Sequence, residues 1–240
     1  MTLKYRTEGF VFKKEERLEA DQAFAIFTKD FGRIDINARA IRKTASKLRP
    51  NIDLFYLSEI EFIQGRHSKT LTDAIKIKKS INIFEDYKKL KAVCQMADVM
   101  DIFLKGQEKD IATFDLLVDV LNKFKESNNK FIFHYFFWNF LSLQGYCLQT
   151  KNCAHCHNNL NPNNIYFSNK EGGVVCGDCV KIAKDYGTCQ KINSDVVKIL
   201  RLILQKDWQI LSKLKVEPNS QKLLETISEN ATRAFCPAHC

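Results

Sequence analysis

The sequence predicts an α+β protein in which a small β-barrel at residues 1–80 is followed by an α-helical domain at residues 81–240. In the first part, short runs that alternate between apolar and polar side chains are separated by turn residues, a pattern typical of β-strands. From about residue 81, apolar residues recur at intervals of three and four, which indicates helices. A cysteine-rich stretch at about residues 151–180 interrupts the helical pattern and predicts a small inserted module.

The predicted barrel contains four or five short strands. The strand-like runs are residues 9–12, 23–28, 33–40, 52–63 and 70–77. In the fourth run, one parity is occupied by Leu54, Tyr56, Ser58, Ile60 and Phe62, as in a long half-buried strand. The fifth run also fits a helix start at Thr72-Asp73-Ala74, so its type stays open. Four or five such strands in about eighty residues fit a small closed barrel, whose strand order the pattern leaves open.

Five helices are expected in the second part of the chain. The apolar spacing places them at about residues 87–105, 113–126, 131–144, 194–204 and 219–233. The second begins at Thr113 or Asp110, either of which suits an N-cap. The third is apolar nearly all round, which is typical of a helix at the core of a bundle. Cys94 and Cys147 fall on apolar helical positions, and we expect both to lie in the core.

The chain is basic, and its positive charge is concentrated towards the N-terminus. The formal net charge is +9 and the pI is about 9.0. Residues 1–80 hold ten lysines and seven arginines against eleven acidic residues, so this third of the chain carries two thirds of the excess charge. Such a surface favours an anionic partner, either a nucleic acid or an anionic membrane, although a basic surface without a specific partner has the same composition.

No segment is expected to span a membrane or to direct export. Residues 1–6 lack the apolar core of a signal peptide. The most apolar run, residues 131–143, is too short to cross a bilayer and is interrupted by His134, Asn139 and Ser142. We therefore expect a cytoplasmic protein with reduced thiols. The nine cysteines, an odd number, then indicate metal binding rather than a disulfide framework.

Four cysteines form the most specific motif in the chain. Cys153-x2-Cys156 and Cys176-x2-Cys179 are two knuckles separated by nineteen residues. The two-residue spacing lets both thiolates of a pair face one ion, and two pairs complete a tetrahedral zinc site. Because four thiolates leave no open position for water, we expect one structural zinc ion per chain.

Alternatives around this motif are weaker. A redox-active pair, as in thioredoxin, would explain one Cys-x2-Cys motif but not two. His155 and His157 flank the first knuckle and could replace a ligand, although a surface position is preferred because four cysteines fill the site. Cys189 has no assignment. Residues 236–240 contain two cysteines and a histidine, but a frayed tail is preferred over a second metal site.

A basic loop between the third and fourth strands is the candidate nucleic-acid contact. Its cations are Arg39, Arg42, Lys43, Lys47 and Arg49. No acidic residue occurs from residue 36 to residue 52. The spacing suits contacts with successive phosphates, which are independent of sequence and sensitive to salt. Because five cations without a neighbouring acid repel one another, we prefer binding over a merely solvated loop.

Aromatic residues in the flanking strands are candidates for stacking on unpaired bases. They are Phe24, Phe27, Phe31, Phe55, Tyr56 and Phe62. Strand alternation places about half of them in the core and leaves the others free to stack. For any one of them a core position is preferred, because a small barrel must fill its own interior.

The motifs, in their order along the chain, resemble those of the RecO family of bacterial DNA repair and recombination mediators. Residues 6–12 and 27–33 follow the opening pattern of that family, and residues 38–50 are similar to its basic segment after the third strand. Residues 140–146 contain its Leu-x3-Gly-Tyr motif, and the glycine pair at residues 172–173 lies between its two cysteine knuckles. The resemblance covers nearly the whole chain.

This resemblance implies an N-terminal OB-fold barrel and a helical domain that carries a zinc module. It implies binding of single- and double-stranded DNA and annealing of complementary strands. The implied partners are RecR, the C-terminal tail of the single-stranded-DNA-binding protein and, indirectly, the recombinase RecA, at the nucleoid. Two features depart from the family pattern: residues 13–21 are more acidic than its usual turn, and the third helix is unusually aromatic.

An enzymatic function has no support among the motifs. The sequence contains no phosphate-binding P-loop, no dinucleotide-binding glycine motif and no His-Glu-x2-His zinc motif. Five scattered histidines and no paired carboxylates provide no catalytic candidate. We therefore expect a non-enzymatic DNA-binding and annealing mediator. The alternative is a zinc-ribbon regulator that binds RNA or DNA and does not anneal strands.

Overall fold

The computed structural model describes residues 3–78, 86–106, 108–126, 130–183 and 189–235. The chain forms two compact units, Met1–Asn128 and Asn129–Cys240. Within these residues, the first unit holds the barrel strands and two helices, and the second holds the remaining helices and a small sheet. The predicted domain division at residue 80 falls between the described residues 78 and 86 and stays a prediction.

Five strands of the first unit close into a barrel. They are β1 (Lys4–Arg17), β2 (Asp21–Thr28), β3 (Gly32–Ala38), β4 (Leu57–Gln64) and β5 (Lys69–Lys78). Their order around the barrel is β1-β2-β3-β5-β4. β1 pairs with both β2 and β4, and the parallel pair is β3 with β5. This is an OB-like barrel, and the predicted fold class is confirmed.

The strand boundaries differ from the sequence pattern at two places. β5 extends over Lys69–Lys78, so the possible helix start near residue 72 is wrong. The fourth strand begins at Leu57 rather than at residue 52. Phe55 has a positive φ of 65°, which turns the chain out of the extended conformation just before β4. Within β4 the predicted parity is confirmed, because Ser58, Ile60 and Phe62 are buried.

The barrel interior is filled by apolar side chains from every strand and from the connection between β3 and β4. The buried cluster consists of Val11, Phe24, Ile26, Ile34, Ile36, Ala38, Ile41, Ile52, Ile60, Phe62, Leu71 and Ala74. Ile41 and Ile52 belong to the connection and are 1% and 2% exposed. Burial of one such side chain contributes about 1.5–3 kcal/mol, so these two residues anchor the connection to the barrel core.

Two helices complete the first unit, α1 (Tyr87–Phe103) and α2 (Ile111–Glu126). Asp86 caps α1, and Asp110 caps α2 by accepting from Thr113, which resolves the two start positions considered above. Cys94 is exposed, so its predicted core position is wrong. The buried face of α1 is centred on Met96 and Met100, and at 3.6 residues per turn Cys94 falls outside it.

Arg33 of β3 joins the barrel to the end of α1. Its guanidinium lies 2.8 Å from the Asp101 carboxylate and donates a 2.9 Å hydrogen bond to the Leu104 carbonyl. Lys13 of β1 lies 3.0 Å from the same carboxylate. The Arg33 side chain is only 14% exposed, so these charged contacts fix the helix against the barrel.

The second unit combines helices with a three-stranded sheet of order β7-β6-β8. Its elements are α3 (Ile132–Leu143), β6 (Ile165–Ser168), β7 (Gly173–Cys176), α4 (Gly177–Ala183), β8 (Cys189–Ile192), α5 (Ser194–Leu204), α6 (Trp208–Leu211) and α7 (Pro218–Phe235). Residues 132–141 of α3 are all buried, which confirms α3 as a core helix. Among the described residues, no helix is long and apolar enough to cross a membrane.

Polar groups of α3 form hydrogen bonds with α5 and α7. His134 Nδ1 lies 2.9 Å from Ser228 Oγ of α7, and the Asn139 amide donates a 3.0 Å hydrogen bond to the Ile203 carbonyl of α5. Cys147 lies beyond the C-terminal end of α3 and is exposed, so its predicted core position is wrong.

Candidate metal centre and nucleic-acid interface

A loop, a strand end and a helix start bring the four predicted cysteines together in the second unit. Cys153 and Cys156 lie in the loop before β6, Cys176 is the last residue of β7, and Cys179 lies in the first turn of α4. The backbone amide of Ala154 donates a 2.8 Å hydrogen bond to β7, which attaches the first knuckle to the strand that carries the second.

The sulfur positions fit one metal ion. All four Sγ atoms lie within 4.8 Å of one another. The distance is 3.9 Å from Cys153 Sγ to Cys179 Sγ and 3.8 Å from Cys156 Sγ to Cys176 Sγ. Four sulfurs placed tetrahedrally at about 2.3 Å from a zinc ion are about 3.8 Å apart, whereas bonded sulfurs are about 2.05 Å apart. The four side chains therefore fit a metal-thiolate site and are not paired as disulfides.

The backbone around Cys153 favours its thiolate form. Burial raises the pKa of this thiol, but the backbone amides of Cys156, Cys176 and His155 outweigh burial and lower the pKa to about 6. The Cys176 amide lies 3.3 Å from Cys153 Sγ. Burial raises the pKa of Cys176 and of Cys179. A bound cation stabilises the thiolates of such buried cysteines, because a metal ligand must lose its proton.

Glycines allow the close backbone approach that this module requires. A Cβ atom on Gly173 would lie 2.2 Å from the Gln149 carbonyl oxygen, and one on Gly177 would lie 2.1 Å from the Asn164 side chain. Gly172 has a φ of +65°, a conformation that glycine adopts readily. A larger residue at any of these three positions would clash or be strained.

The neighbouring candidate ligands lie outside the sulfur cluster. His155 is exposed and lies 3.4 Å from Glu171, and His157 is also exposed. Cys189 is partly buried and packs against the cluster, but its sulfur is not one of the four that converge. The cysteines and histidine of residues 236–240 lie outside the described residues.

Arg201 attaches the module to the helical part of the second unit. From α5 its guanidinium donates hydrogen bonds of 2.6 and 3.1 Å to the Thr150 carbonyl oxygen, just before the first knuckle. Hydrogen bonds from a charged donor are about twice as strong as neutral ones. The cysteine module is therefore attached to α5 by hydrogen bonds that do not depend on the sulfur cluster.

In the first unit, the basic loop is an anchored connection without helix or strand. It joins β3 to β4, which are separated in the barrel by β5, so it crosses one end of the barrel. The five predicted cations are all exposed: Arg39, Arg42, Lys43, Lys47 and Arg49. Because Ile41 and Ile52 are buried, the loop presents cations outwards from a fixed base.

Acidic residues compensate part of this charge, contrary to the expectation from the sequence. They belong to the acidic hairpin, residues 13–21, which comprises the end of β1, the turn and the first residue of β2. Glu16 lies 3.2 Å from the Arg42 guanidinium, although 26 residues separate the two in sequence. Asp21 accepts a 2.7 Å hydrogen bond from the Ala40 amide. The absence of acids within the loop is therefore no sign of uncompensated repulsion, and the case for binding depends on exposure and position.

Lys76, which the sequence pattern did not single out, also lies at this loop. Its ammonium group donates a 3.4 Å hydrogen bond to the Pro50 carbonyl and lies 5.7 Å from the centre of the Tyr56 ring. No local signal marks Lys76, because β5 reaches the loop only through the barrel closure. The structure thus adds a cation to the end of the loop that follows Arg49.

Most of the candidate aromatic residues are in the core, as preferred from the sequence. The fully buried ones are Phe24, Phe27, Phe55 and Phe62. Phe31 is partly buried and packs edge-on against Tyr5 and Phe62. Tyr56 is also partly buried, and its described ring contact is with Lys76.

Comparison with protein families assigns both parts of the chain. Residues 1–79 match the model described as recombination protein O N terminal, and residues 84–236 match the model described as recombination protein O C terminal. Together the two matches cover nearly the whole chain, on either side of residues 80–83.

Individual relatives support the same assignment over similar lengths. A DNA repair protein RecO of Dehalococcoides mccartyi is 28% identical over 213 residues, covering 88% of this chain and 83% of the relative. One from Alkaliphilus metalliredigens is 28% identical and covers 92% of this chain and 89% of the relative. One from Rubrobacter xylanophilus is 29% identical, covering 73% and 71%.

Proposed function

Because the chain belongs to the recombination protein O (RecO) family, we propose that it is a non-enzymatic DNA-binding protein of recombinational repair. The proposed activities are binding of single- and double-stranded DNA and annealing of complementary strands. Together with RecR, the protein helps to load RecA onto DNA coated with single-stranded-DNA-binding protein. The observation that supports DNA binding best is the basic loop, whose cations are exposed on buried apolar anchors.

In this proposal the loop binds the DNA backbone rather than the bases. Its cations contact successive phosphates and release the counterions that those phosphates had condensed. The residues assigned to this role are Arg39, Arg42, Lys43, Lys47 and Arg49. Five contacts with a single strand give a slope of log affinity against log salt of about −3.5, taking about −0.7 for each. Binding of this kind is independent of sequence, as annealing of arbitrary complementary strands requires.

Charge reversal tests the loop directly. Arg42→Glu combined with Lys43→Glu is expected to weaken single-strand binding and to reduce the magnitude of the salt slope by about 1.4, the share of two contacts. The matched control is Lys88→Glu combined with Lys91→Glu, which makes the same charge change at exposed positions of α1. Equal effects in both double variants would overturn the loop as the binding site.

Annealing separates this function from the alternative, a zinc-ribbon regulator that binds RNA or DNA. Two complementary labelled strands are mixed with the protein, and duplex formation is followed by energy transfer. A mediator accelerates annealing of any complementary pair, and the loop double variant loses the acceleration. A regulator instead shows sequence preference and no acceleration, which would favour the alternative.

We propose that the four-cysteine site holds one structural zinc ion per chain. The sulfur separations of 3.8 and 3.9 Å support a closed four-thiolate site, and such a site has no open position for catalysis. Elemental analysis of natively purified protein is expected to give one zinc per chain, and Cys153→Ser to lower that value. Chelation should increase hydrogen exchange in residues 151–180. Native protein without metal would contradict this part of the proposal.

The partner proteins are proposed to contact the helical part of the chain. A cavity of about 320 Å³ in the second unit is lined mainly by apolar residues such as Leu141 and Phe167, and also by Lys170 and Glu171. Its apolar lining and Lys170 support a contact with the acidic, Phe-ended tail of the single-stranded-DNA-binding protein. We expect RecR and a tail peptide each to bind the full chain. We expect Lys170→Ala to weaken binding of the tail peptide and to leave binding of RecR unchanged. If neither RecR nor the tail peptide binds this unit, the assignment is wrong.

The proposed division of labour follows the predicted domains. Residues 1–80 bind DNA, while residues 81–240 carry the zinc module and the partner contacts. The location proposed is the cytoplasm at the nucleoid, where the DNA substrates are.

A further inference from the structure

Tyr56 differs from the other aromatic residues near the basic loop. Its ring is partly exposed, and the Lys76 ammonium lies 5.7 Å from its centre. Phe31 is partly exposed as well, but it packs edge-on against Phe62 and belongs to the barrel core. Of the six aromatic candidates in the flanking strands, Tyr56 is therefore the one placed to contact a ligand at the loop.

The backbone holds Tyr56 in a defined position. Phe55 has a φ of +65°, a costly conformation for a residue other than glycine. Two hydrogen bonds with Val11 of β1 maintain this conformation. The Phe55 amide donates to the Val11 carbonyl at 2.7 Å, and the Val11 amide donates to the Tyr56 carbonyl at 3.0 Å. The Phe55 ring is buried and stacks on Phe10 with 6.5 Å between ring centres, whereas Tyr56 is only partly buried. Conformations of this kind cluster at functional sites.

Lys76 supplies a cation over one face of this ring. Its ammonium group bonds to the Pro50 carbonyl at 3.4 Å, at the end of the loop that carries Arg49. Within the described part of the chain, no carboxylate lies at ion-pair distance from Lys76. An aromatic ring with an adjacent cation is the arrangement by which proteins bind an unpaired base together with its phosphate.

We propose that Tyr56 and Lys76 form a binding site for one unpaired nucleotide, with the base on the face of Tyr56 opposite Lys76 and the phosphate at Lys76. This site rests on the proposed DNA-binding function of the loop and extends it by one position beyond Arg49. It gives the protein a preference that the loop alone does not provide. Phosphates occur on single and double strands alike, whereas only an unpaired base offers a free face to an aromatic ring.

The test compares variants of Tyr56 on the two kinds of DNA. Tyr56→Ala is expected to weaken binding of a single-stranded oligothymidylate by about 5- to 140-fold, the effect of losing one stacked base, and to leave duplex affinity unchanged. Tyr56→Phe keeps the ring and should bind like the parent protein. Tyr87→Ala is the matched control, because Tyr87 is a 79% exposed tyrosine on α1 in the same unit.

A second readout identifies the contact itself. Ultraviolet crosslinking of the parent protein to an oligonucleotide that contains 5-iodouracil is expected to label the peptide that contains Tyr56. Circular dichroism of each variant establishes that it is folded. The site is overturned if Tyr56→Ala binds single strands like the parent, or if it weakens duplex binding to the same extent.

The loop double variant keeps this inference separate from the proposed function. If Arg42→Glu with Lys43→Glu weakens binding of both single-stranded and duplex DNA, and Tyr56→Ala weakens binding of neither, the loop is supported as a binding site and the nucleotide site is refuted. If the double variant has no effect but Tyr56→Ala selectively weakens single strands, the nucleotide site stands and the loop fails.

Discussion

Replacing Glu16 with glutamine should strengthen DNA binding by the basic loop. Glu16 lies 3.2 Å from the Arg42 guanidinium. Its carboxylate therefore competes with a phosphate for this cation. A phosphate that binds Arg42 must first displace this carboxylate. Because Glu16 is 70% exposed and belongs to a hairpin rather than to the loop, its loss leaves the loop anchors in place.

The size of the effect follows from the exposure of the pair. Arg42 and Glu16 are 41% and 70% exposed, and exposed ion pairs of this kind are worth about 0.2–1 kcal/mol. Removing the competitor therefore raises single-strand affinity by at most about fivefold. If Arg42 changes from a shared to a full phosphate contact, the salt slope steepens by up to about 0.7.

Glu15→Gln provides a matched control for this measurement. Glu15 lies one residue away and pairs with Lys13 and Arg17, at 3.5 and 3.2 Å, instead of with the loop. Both variants remove one negative charge from the acidic hairpin, so they share any long-range effect. Fluorescence anisotropy of a labelled oligonucleotide over a series of salt concentrations measures affinity and slope together.

The reasoning is refuted if Glu15→Gln and Glu16→Gln give the same affinity and the same slope. A further check uses Arg42→Ala as the background. There the substitution of Glu16 should have no more effect than that of Glu15, because the cation for which it competes is gone.

Three other outcomes are expected. Arg33→Lys should destabilise the first unit by about 2 kcal/mol, because lysine cannot reach Asp101 and the Leu104 carbonyl together. Faster hydrogen exchange in α1 is the expected result, and unchanged exchange would contradict it. Burial raises the pKa of Asp101, but the two cations that contact it outweigh burial and lower that pKa. Its stabilising contribution is therefore present above about pH 4 and is lost below that value, as the pH falls through the lowered pKa of Asp101. Asp101→Asn should therefore flatten the acid limb of an unfolding profile. Gly177→Ala should lower the metal content, because the new Cβ would lie 2.1 Å from the Asn164 side chain, and Asn164→Ala should restore it.

The convergence of the four cysteines could be predicted from the sequence because its determinants are local. The spacing of Cys153 and Cys156 and that of Cys176 and Cys179 each fix one half of the site. The glycines beside the second pair indicate the tight backbone that the hairpin of β6 and β7 requires. Sequence spacing therefore predicted which residues converge, and the structure added the distances between them.

The surroundings of the basic loop could not be predicted, because they depend on contacts that are distant in sequence. Glu16 reaches Arg42 through the β1–β2 hairpin, and Lys76 reaches Pro50 through the closure of the barrel. Strand order decides both contacts, and the period of two along a strand contains no information about strand order.

Two local expectations were wrong for reasons of geometry. Cys94 was expected in the core, but it is exposed because the buried face of α1 is centred on Met96 and Met100. The strand predicted from residue 52 was interrupted because Phe55 adopts a left-handed conformation. Periodicity assigns a type of element more reliably than it assigns the exact face or the exact boundary.

The crossing of the basic loop over the end of the barrel has a consequence for how such a protein diverges. Because β5 lies between β3 and β4, the connection must stay long enough to span the barrel and must keep apolar residues where Ile41 and Ile52 enter it. Loss of either side chain to alanine would cost about 2–5 kcal/mol, whereas exchanges among its exposed positions cost about 0.5 kcal/mol or less. The cations of this segment can therefore be redistributed at little cost in stability, while the two isoleucine positions and the length of chain between them remain constrained by folding.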